Sequence, residues 1–465
     1  MISVQNHRLR LSGNNFIFTL ICMCIFCSCN PTKKVVDNST KPIDRAPEMS
    51  KVDTIVWQED TTAPPPIQSD QIVNEETDPS GANDLDMIPK SERKEAYNIA
   101  VLFPFYSKTY VSDNDRSKKK SLRAIQLYGG MQLAMEKLEK ENIDLKFNIY
   151  DTQGDVNETR SILQQPEVYG ADLVFGPFRS ENLKVGSQLA IQYKKAFISP
   201  MNPSDKITER NPFFVQMKPS FSSHVQAITD HVMEDNLPQQ VVVVARDKNG
   251  ERERIQMFQD ALAQNQKSKE GDRFREYLVS DYGNEFENMD FSNFVIEGAK
   301  TVFIVPSWSK EAFVINVLRK IRLVKGANEV VVYGMPQWKD FQRISYDDYA
   351  ALQVHISSDN RLDKQQQNIQ NFAKAYYYKF GEAPNEDAYF GYDMTLCMVK
   401  NMIKHGTQFQ MNLDASPYTG LASIFDFEKV YDLEEESLET APMKMIANKH
   451  VDILKFSEFI FQLAE

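Results

Sequence analysis

The sequence predicts an α/β protein of two Rossmann-like lobes with parallel-sheet cores, and three observations predict it. From Tyr97 onward, apolar runs of strand length alternate with longer segments of helical period, the pattern of strand–helix–strand units that cover a parallel sheet with helices. The alternation falls into two sets, each too short for one large sheet. The chain of 465 residues is also long enough, once its N-terminal segment is set aside, for two domains of ordinary size.

In the first set, 98–103 reads as a strand, 122–140 as a helix, 145–150 as a strand, 157–165 as a helix and 171–175 as a strand. A helix over 181–192 and a strand over 196–199 follow. The second set opens with a helix over 221–233, a strand over 241–245 and a helix over 251–263. A strand over 301–305, a helix over 309–323 and a strand over 330–333 complete it. A short apolar stretch after Tyr349 and helices near Phe372 and Tyr392 join one of the two lobes.

The N-terminus reads as an export signal rather than as structure. Arg8 and Arg10 give a basic start, and an apolar run follows over 16–26. That run is short of the ~20 residues a membrane helix needs. It ends in Phe26-Cys27-Ser28-Cys29, followed by the helix-breaking Asn30-Pro31. The small residues before Cys29 resemble the lipobox of bacterial lipoproteins, whose cysteine becomes the acylated first residue; a plain secretory signal is the alternative. Residues 1–28 are thus a signal peptide and 29–94 a Pro-, Asp-, Glu-, Thr- and Ser-rich tether that cannot bury enough apolar surface to fold. After cleavage only Cys29 and Cys397 remain, so no internal disulfide supports the fold. The formal net charge of -12 argues against nucleic acid as a partner.

Several motifs then occur in a specific order: Tyr128-Gly129-Gly130-Met131-Gln132, Tyr150-Asp151-Thr152-Gln153-Gly154-Asp155, Gly176-Pro177-Phe178-Arg179-Ser180, Phe197-Ile198-Ser199-Pro200, Pro306-Ser307-Trp308 and Tyr333-Gly334. Together they resemble the type I periplasmic binding proteins, the family of branched-chain amino-acid receptors of ABC importers, over nearly all of 95–465. The resemblance implies two lobes joined by a three-stranded hinge. It places lobe 1 at 95–217 and 335–423 and lobe 2 at 218–334 and 424–465, with crossings near Met217-Lys218, Gly334-Met335 and 423–426. It also implies a small ligand bound between the lobes, at the carboxyl ends of the strands, and trapped by hinge closure.

The candidate ligand residues follow from that placement. Ser180 opens a helix, where it either caps free N–H groups or, as the resemblance implies, holds a ligand carboxylate. Arg179 either clamps an anion or pairs with an acidic residue. Ser199, Asn202 and Ser204 occupy the loop where the relatives complete the carboxylate site, with the hydroxyl shifted from its usual place. Trp308 stands where the relatives place an aromatic over the ligand ammonium; core packing is its other reading. Where the relatives supply a carboxylate for that ammonium, this chain has Met335-Pro336-Gln337, which counts against a free amino acid as ligand. Asp247-Lys248-Asn249-Gly250 reads as a turn, Asp151 and Asp155 as helix caps, and Lys118-Lys119-Lys120 as part of a solvated polar loop.

No Walker loop and no Gly-x-Gly-x-x-Gly follows the first strand, and the His and Cys residues lack metal-ligand spacing. Cofactors, metals and catalysis are therefore unsupported. The sequence points to a lipid-anchored extracytoplasmic receptor of the bacterial envelope, in the periplasm or at the outer membrane, feeding an ABC permease. The alternative is an envelope interaction protein on the same fold, such as an activator of a cell-wall synthase.

Overall fold

The computed structural model describes residues 88–110, 115–141, 144–280, 288–432 and 441–464. The export segment, Cys29 and the expected tether as far as residue 87 lie outside the described residues. The last stretch of that expected tether is held on the fold. Ser91 Oγ donates to the His405 carbonyl at 2.6 Å, Glu92 N to Thr407 Oγ1 at 3.2 Å, and Lys94 Nζ pairs with Asp172 at 2.7 Å. The boundary expected at residue 94 therefore moves to residue 88 or earlier, because three polar contacts fix a segment whose composition alone gives no core.

In chain order, lobe 1 begins with β1 (Ala96–Phe103), α1 (Asp115–Glu139), β2 (Asp144–Asp151), α2 (Val156–Leu163), α3 (Pro166–Tyr169), β3 (Leu173–Phe175), α4 (Ser180–Tyr193), β4 (Ala196–Ser199) and β5 (Phe214–Gln216). β1 is apolar on both faces because both are covered. Ile99, Val101 and Phe103 pack toward α1, while Ala100 and Leu102 pack toward the layer of α2 to α4. Helix α1 starts earlier than its apolar period suggested, so Lys118-Lys119-Lys120 lie on its exposed first turns rather than in a loop.

Lobe 2 continues with α5 (Phe221–Asp235), β6 (Val241–Arg246), α6 (Asn249–Gln264), β7 (Arg275–Val279), β8 (Thr301–Ile304), α7 (Glu311–Val324), β9 (Val330–Gly334), α8 (Tyr346–Ala351) and β10 (His355–Ser358). The valines of β6 and β9 are buried on both faces, and α7 turns Phe313, Val314, Val317, Leu318 and Ile321 onto them at helical spacing. The chain then builds α9 (Gln367–Phe380), α10 (Glu386–His405), the small hairpin β11 (Tyr418–Thr419) and β12 (Ile424–Phe425), then β13 (Phe427–Tyr431) and β14 (Met443–Asn448). It ends on β15 (Asp452–Ser457) and β16 (Ile460–Leu463).

Two seven-stranded sheets result, ordered β13-β14-β5-β4-β3-β1-β2 and β16-β15-β10-β9-β8-β6-β7. Each is parallel except at one side, where β13 runs antiparallel to β14 in one sheet, and in the other β15 runs antiparallel to β10 and β16 antiparallel to β15. Two of the expected lobe boundaries move. β10 pairs parallel with β9 through His355↔Tyr333 and Ile356↔Gly334, so the chain stays in lobe 2 to Ser358 instead of leaving at Gly334-Met335. β14 pairs with β5 through Ile446↔Val215, so β13 and β14 belong to lobe 1 and the last crossing falls at 449–451, not 423–426. The first passage runs from Gln216 at the end of β5 to α5, whose Val225, Ile228 and Val232 lie in the lobe 2 core.

Lobe 1 is braced by α1 against α10. The two helices approach so closely that a Cβ on Gly130 would overlap the Ala388 carbonyl, and one on Gly391 the Leu127 carbonyl. Glycine is needed at both positions for space rather than for backbone freedom.

Candidate functional site: the carboxyl edges of the two sheets

All three interlobe passages leave from carboxyl ends of strands: β5 and β14 in lobe 1, β10 in lobe 2. This connectivity brings the carboxyl edges of both sheets to the hinge, the position where open α/β sheets bind ligands.

The hinge is tied by paired charges and amides. Asn448 Nδ2 donates to the Met217 carbonyl at 3.0 Å, linking two of the passages. Lys218 of the first passage meets Asp359 of the second at 2.6 Å, and its ammonium lies 3.8 Å from the centre of the Phe390 ring. Burial works against the Asp359 carboxylate, but Lys218 and Lys339 hold it well below the usual carboxylate range. Across the lobes, Lys339 of lobe 2 pairs with Glu386 of α10 at 2.7 Å; within lobe 1, Arg123 of α1 lies 3.6 Å from Asp387 of α10. His224, on the first turn of α5, is pushed down to about 4 by burial and is neutral at physiological pH.

On the lobe 1 side the polar groups satisfy one another. Helix α4 begins at Ser180, with Arg179 in the cap position, so Ser180 is the first helical residue and not the expected cap. Its hydroxyl accepts the Asn202 amide at 2.8 Å, and Asn202 Oδ1 accepts the Ser204 N–H at 2.8 Å. Ser204 Oγ takes the Lys206 N–H at 3.2 Å. Arg179 Nη1 donates to the Gly154 carbonyl at 3.0 Å, within its own lobe. Asp155 caps α2 through the Glu158 N–H at 2.9 Å. Asp151 does not cap: it gathers the N–H groups of Phe105, Tyr106, Ser107 and Gln153, which hold its carboxyl low against the desolvation that raises it. Ser199 is the expected lobe 1 residue whose buried hydroxyl has no partner at all, while Ser180 keeps its own O–H donor and Arg179 the rest of its guanidinium donors.

The lobe 2 side differs. Trp308 is half-buried, edge-on to His224 with 5.4 Å between ring centres, and 5.9 Å from Phe221; its indole N–H is shielded from solvent and unpaired. The Ser307 hydroxyl, the Gln337 side-chain oxygen and the Ser357 hydroxyl are likewise shielded and unpaired. Gln216 Oε1, at the end of β5, completes the set; Gln216 is the register partner of Ser199, so the two side chains stand side by side. Gln216, Ser307, Gln337, Ser357 and His224 escaped the sequence reading. The only available signal was their position at strand ends, because an unpaired state depends on tertiary neighbours.

At the mouth of β6 and β8 a cavity of about 420 Å³ is lined by Arg246, Lys310, Phe313 and Arg343 among others. Its guanidiniums are engaged: Arg246 with Glu251, and Arg343 with Glu311 at 3.8 Å. Asp247 pairs with Arg252 of α6; the turn expected over 247–250 is shorter than read, because the helix already begins at Asn249. Among the described residues no cluster of His, Cys, Asp or Glu is arranged to hold a metal, and no helix is long and apolar enough to cross a membrane. Cys397 is buried, and burial pushes its thiol far up, away from the reactive thiolate.

Two Rossmann-like lobes, three crossings and carboxyl edges meeting at a hinge define a two-lobed binding-protein architecture, and this is the fold of the type I periplasmic binding proteins. Residues 126–269 match the family model described as receptor family ligand binding region. Among solved structures, a putative branched-chain amino acid ABC transporter protein from Rhodospirillum rubrum superposes with a TM-score of 0.58 at 15% identity, covering 79% of this chain and 100% of that one. An ABC-type branched-chain amino acid transporter protein from Rhodopseudomonas palustris gives 0.55 at 13% identity, with 79% and 95% covered. An ABC transporter substrate-binding protein from Desulfitobacterium hafniense, in complex with Leu, gives 0.51 at 17% identity, with 79% and 99% covered. No curated protein matches the sequence.

Proposed function

We propose that the protein is an extracytoplasmic solute-binding protein, held to a membrane of the bacterial envelope by a lipid on Cys29, whose lobes close on a small ligand without chemistry and present it to an ABC permease. One observation carries the reading: unpaired, shielded polar atoms from both lobes collect at the carboxyl edges beside the hinge, on a fold shared with a substrate-binding protein solved in complex with Leu. Each such atom costs ~1–3 kcal/mol while unsatisfied, a penalty that a ligand relieves.

The test is a thermal-shift screen of the full chain against amino acids, peptides, sugars and cell-wall fragments, followed by calorimetry. A compound that raises Tm and loses its effect in Trp308→Ala supports the receptor. A blank screen, with a cell-wall synthase co-purifying, overturns it in favour of an interaction protein. The anchor is tested separately: Cys29→Ala should release the protein from membranes and abolish metabolic labelling with palmitate, and retention of both overturns the anchor.

A further inference from the structure

We infer that the ion pair Lys339–Glu386 is an interlobe latch: two positioning residues that hold lobe 2 against α10 of lobe 1 in the ligand-free protein and separate when the lobes part.

Three ion pairs stand around the hinge, and what each one anchors separates their roles. Lys218–Asp359, at 2.6 Å, ties the first passage to the second, with both side chains largely buried. Arg123–Asp387, at 3.6 Å, lies within lobe 1, between α1 and α10. Lys339–Glu386, at 2.7 Å, joins different lobes. Lys339 follows Trp338, a fully buried side chain of the lobe 2 core, whereas Glu386 is the first residue of α10, whose Met394 and Met398 lie in the lobe 1 core. Asn360 of the second passage completes a triangle: its Oδ1 accepts from Lys339 Nζ at 3.3 Å, and its Nδ2 donates to Glu386 Oε2 at 3.2 Å.

Parting this pair would be prohibitive if it stranded a buried charge. It does not, because each partner has support of its own. Burial lowers the Lys339 ammonium, but Glu386, Asp359 and Asp340 together hold it above its ordinary value, and two of those three carboxylates stay beside it when Glu386 leaves. Glu386 keeps 47% of its side chain exposed and sits at a helix N-terminus, where a carboxylate is favoured without a cation. The two ends therefore separate for the loss of one charge-assisted bond, which is what an element with two accessible arrangements requires. Lys218–Asp359 lacks that freedom, since Lys218 is the first cation holding the Asp359 carboxylate against burial, and it stays closed as the lobes move.

Single-molecule energy transfer tests the latch in the unliganded full chain, between dyes on azide-bearing residues introduced in place of the exposed Lys184 of lobe 1 and Glu270 of lobe 2. Glu386→Gln removes the charge alone and should raise the ratio of parted to joined molecules about tenfold, the worth of one such bond. Lys339→Met should do the same, and the double variant should part the lobes no further than Lys339→Met alone, since both changes break one bond. Asp387→Asn, one residue along α10 but paired inside lobe 1, should leave the distances unchanged. Unmoved distances in Glu386→Gln and Lys339→Met overturn the latch. So does an equal shift in Asp387→Asn, which would make the effect one of the α10 terminus in general. No ligand enters the experiment, so either result leaves the receptor reading to its own screen.

Discussion

The two halves of the cleft are built on opposite plans. Most of the lobe 1 rim is wired to itself: Asp151 gathers four backbone N–H groups, Arg179 reaches Gly154, and Ser180, Asn202 and Ser204 form a chain, with Ser199 and Gln216 at the ends of β4 and β5 as the exceptions. The lobe 2 rim leaves Ser307, Trp308 and Gln337 with unused polar atoms, and Ser357 with another at the end of β10. A self-satisfied surface is a rigid wall, whereas an unsatisfied one is costly until something binds. The difference teaches that resemblance in sequence order does not fix surroundings: Ser180 accepts from Asn202 and Arg179 spends one N–H on the Gly154 carbonyl, while the Ser180 O–H and the other guanidinium donors stay available.

The largest expected effect tests whether lobe 1 is the stiffer partner. Gly391→Leu forces a side chain into the Leu127 backbone where α10 crosses α1. Overpacking against backbone should cost ~3 kcal/mol or more, read in urea melts as a lower midpoint. A melt within ~0.5 kcal/mol of the parent protein would show that the crossing yields and that lobe 1 is not braced as described.

Acid should separate the lobes next. In lobe 2, burial pushes His224 and His355 down to about 4, from an ordinary value near 6.5. The unfolded chain therefore binds more protons between those values. The stability of lobe 2 is intact above pH 6.5 and falls on acidification, by ~2 kcal/mol for each histidine at pH 4.5. Lobe 1 carries the opposite case. Burial raises Asp393 to about 6 against the N–H groups of Ala422, Leu421 and Ser423, so its folded form takes up the extra proton and gains stability as pH drops from 6 toward 4. Of the three tryptophans, Trp308 and Trp338 lie in lobe 2, so with Trp57→Phe in place fluorescence reports that lobe. Their melting midpoint should fall between pH 7 and pH 4.5 by more than the midpoint of the helical signal. A shared, unchanged midpoint would contradict the assignment.

A smaller effect probes the lobe 1 wiring itself. Asp151→Ala strips the acceptor from the loop after β1 and should cost ~2 kcal/mol, with the loss visible as faster hydrogen exchange at Phe105, Tyr106 and Ser107. Unaltered exchange there would mean that the loop holds its shape without the clamp.

How much of this was legible in the sequence depended on whether the signal was local. The valine runs of β6 and β9 and the helical period of α7 declare themselves, since burial on both faces demands those residues. β10 did not: His355, Ile356, Ser357 and Ser358 include three polar residues in a fully buried strand, and that concealment moved the second crossing. β13 and β14 were misassigned because antiparallel edge strands carry no mark of which sheet they join. In the site, the place of Trp308 after β8 could be read from the sequence, whereas its half-buried packing against Phe221 and His224 could not. The pairing of Ser180 with Asn202, and the lack of any partner for Ser357, arise only from neighbours distant in the chain.

The smallest effect cuts closest to the comparison. If the lobe 2 rim bears unpaired polar atoms for the sake of a ligand, removing one should help the empty protein. Ser357→Ala deletes a fully buried hydroxyl that bonds to nothing, and the methyl that remains fits the same space. The expected gain is ~0.5–1 kcal/mol, seen as a Tm increase of a few degrees. Ser180→Ala, on the wired rim, breaks a real bond to Asn202 and should shift Tm the other way by a similar amount. Opposite signs for two serine-to-alanine changes, one on each wall of the same cleft, distinguish a surface built to hold itself from one built to hold something else. Equal signs would collapse the distinction.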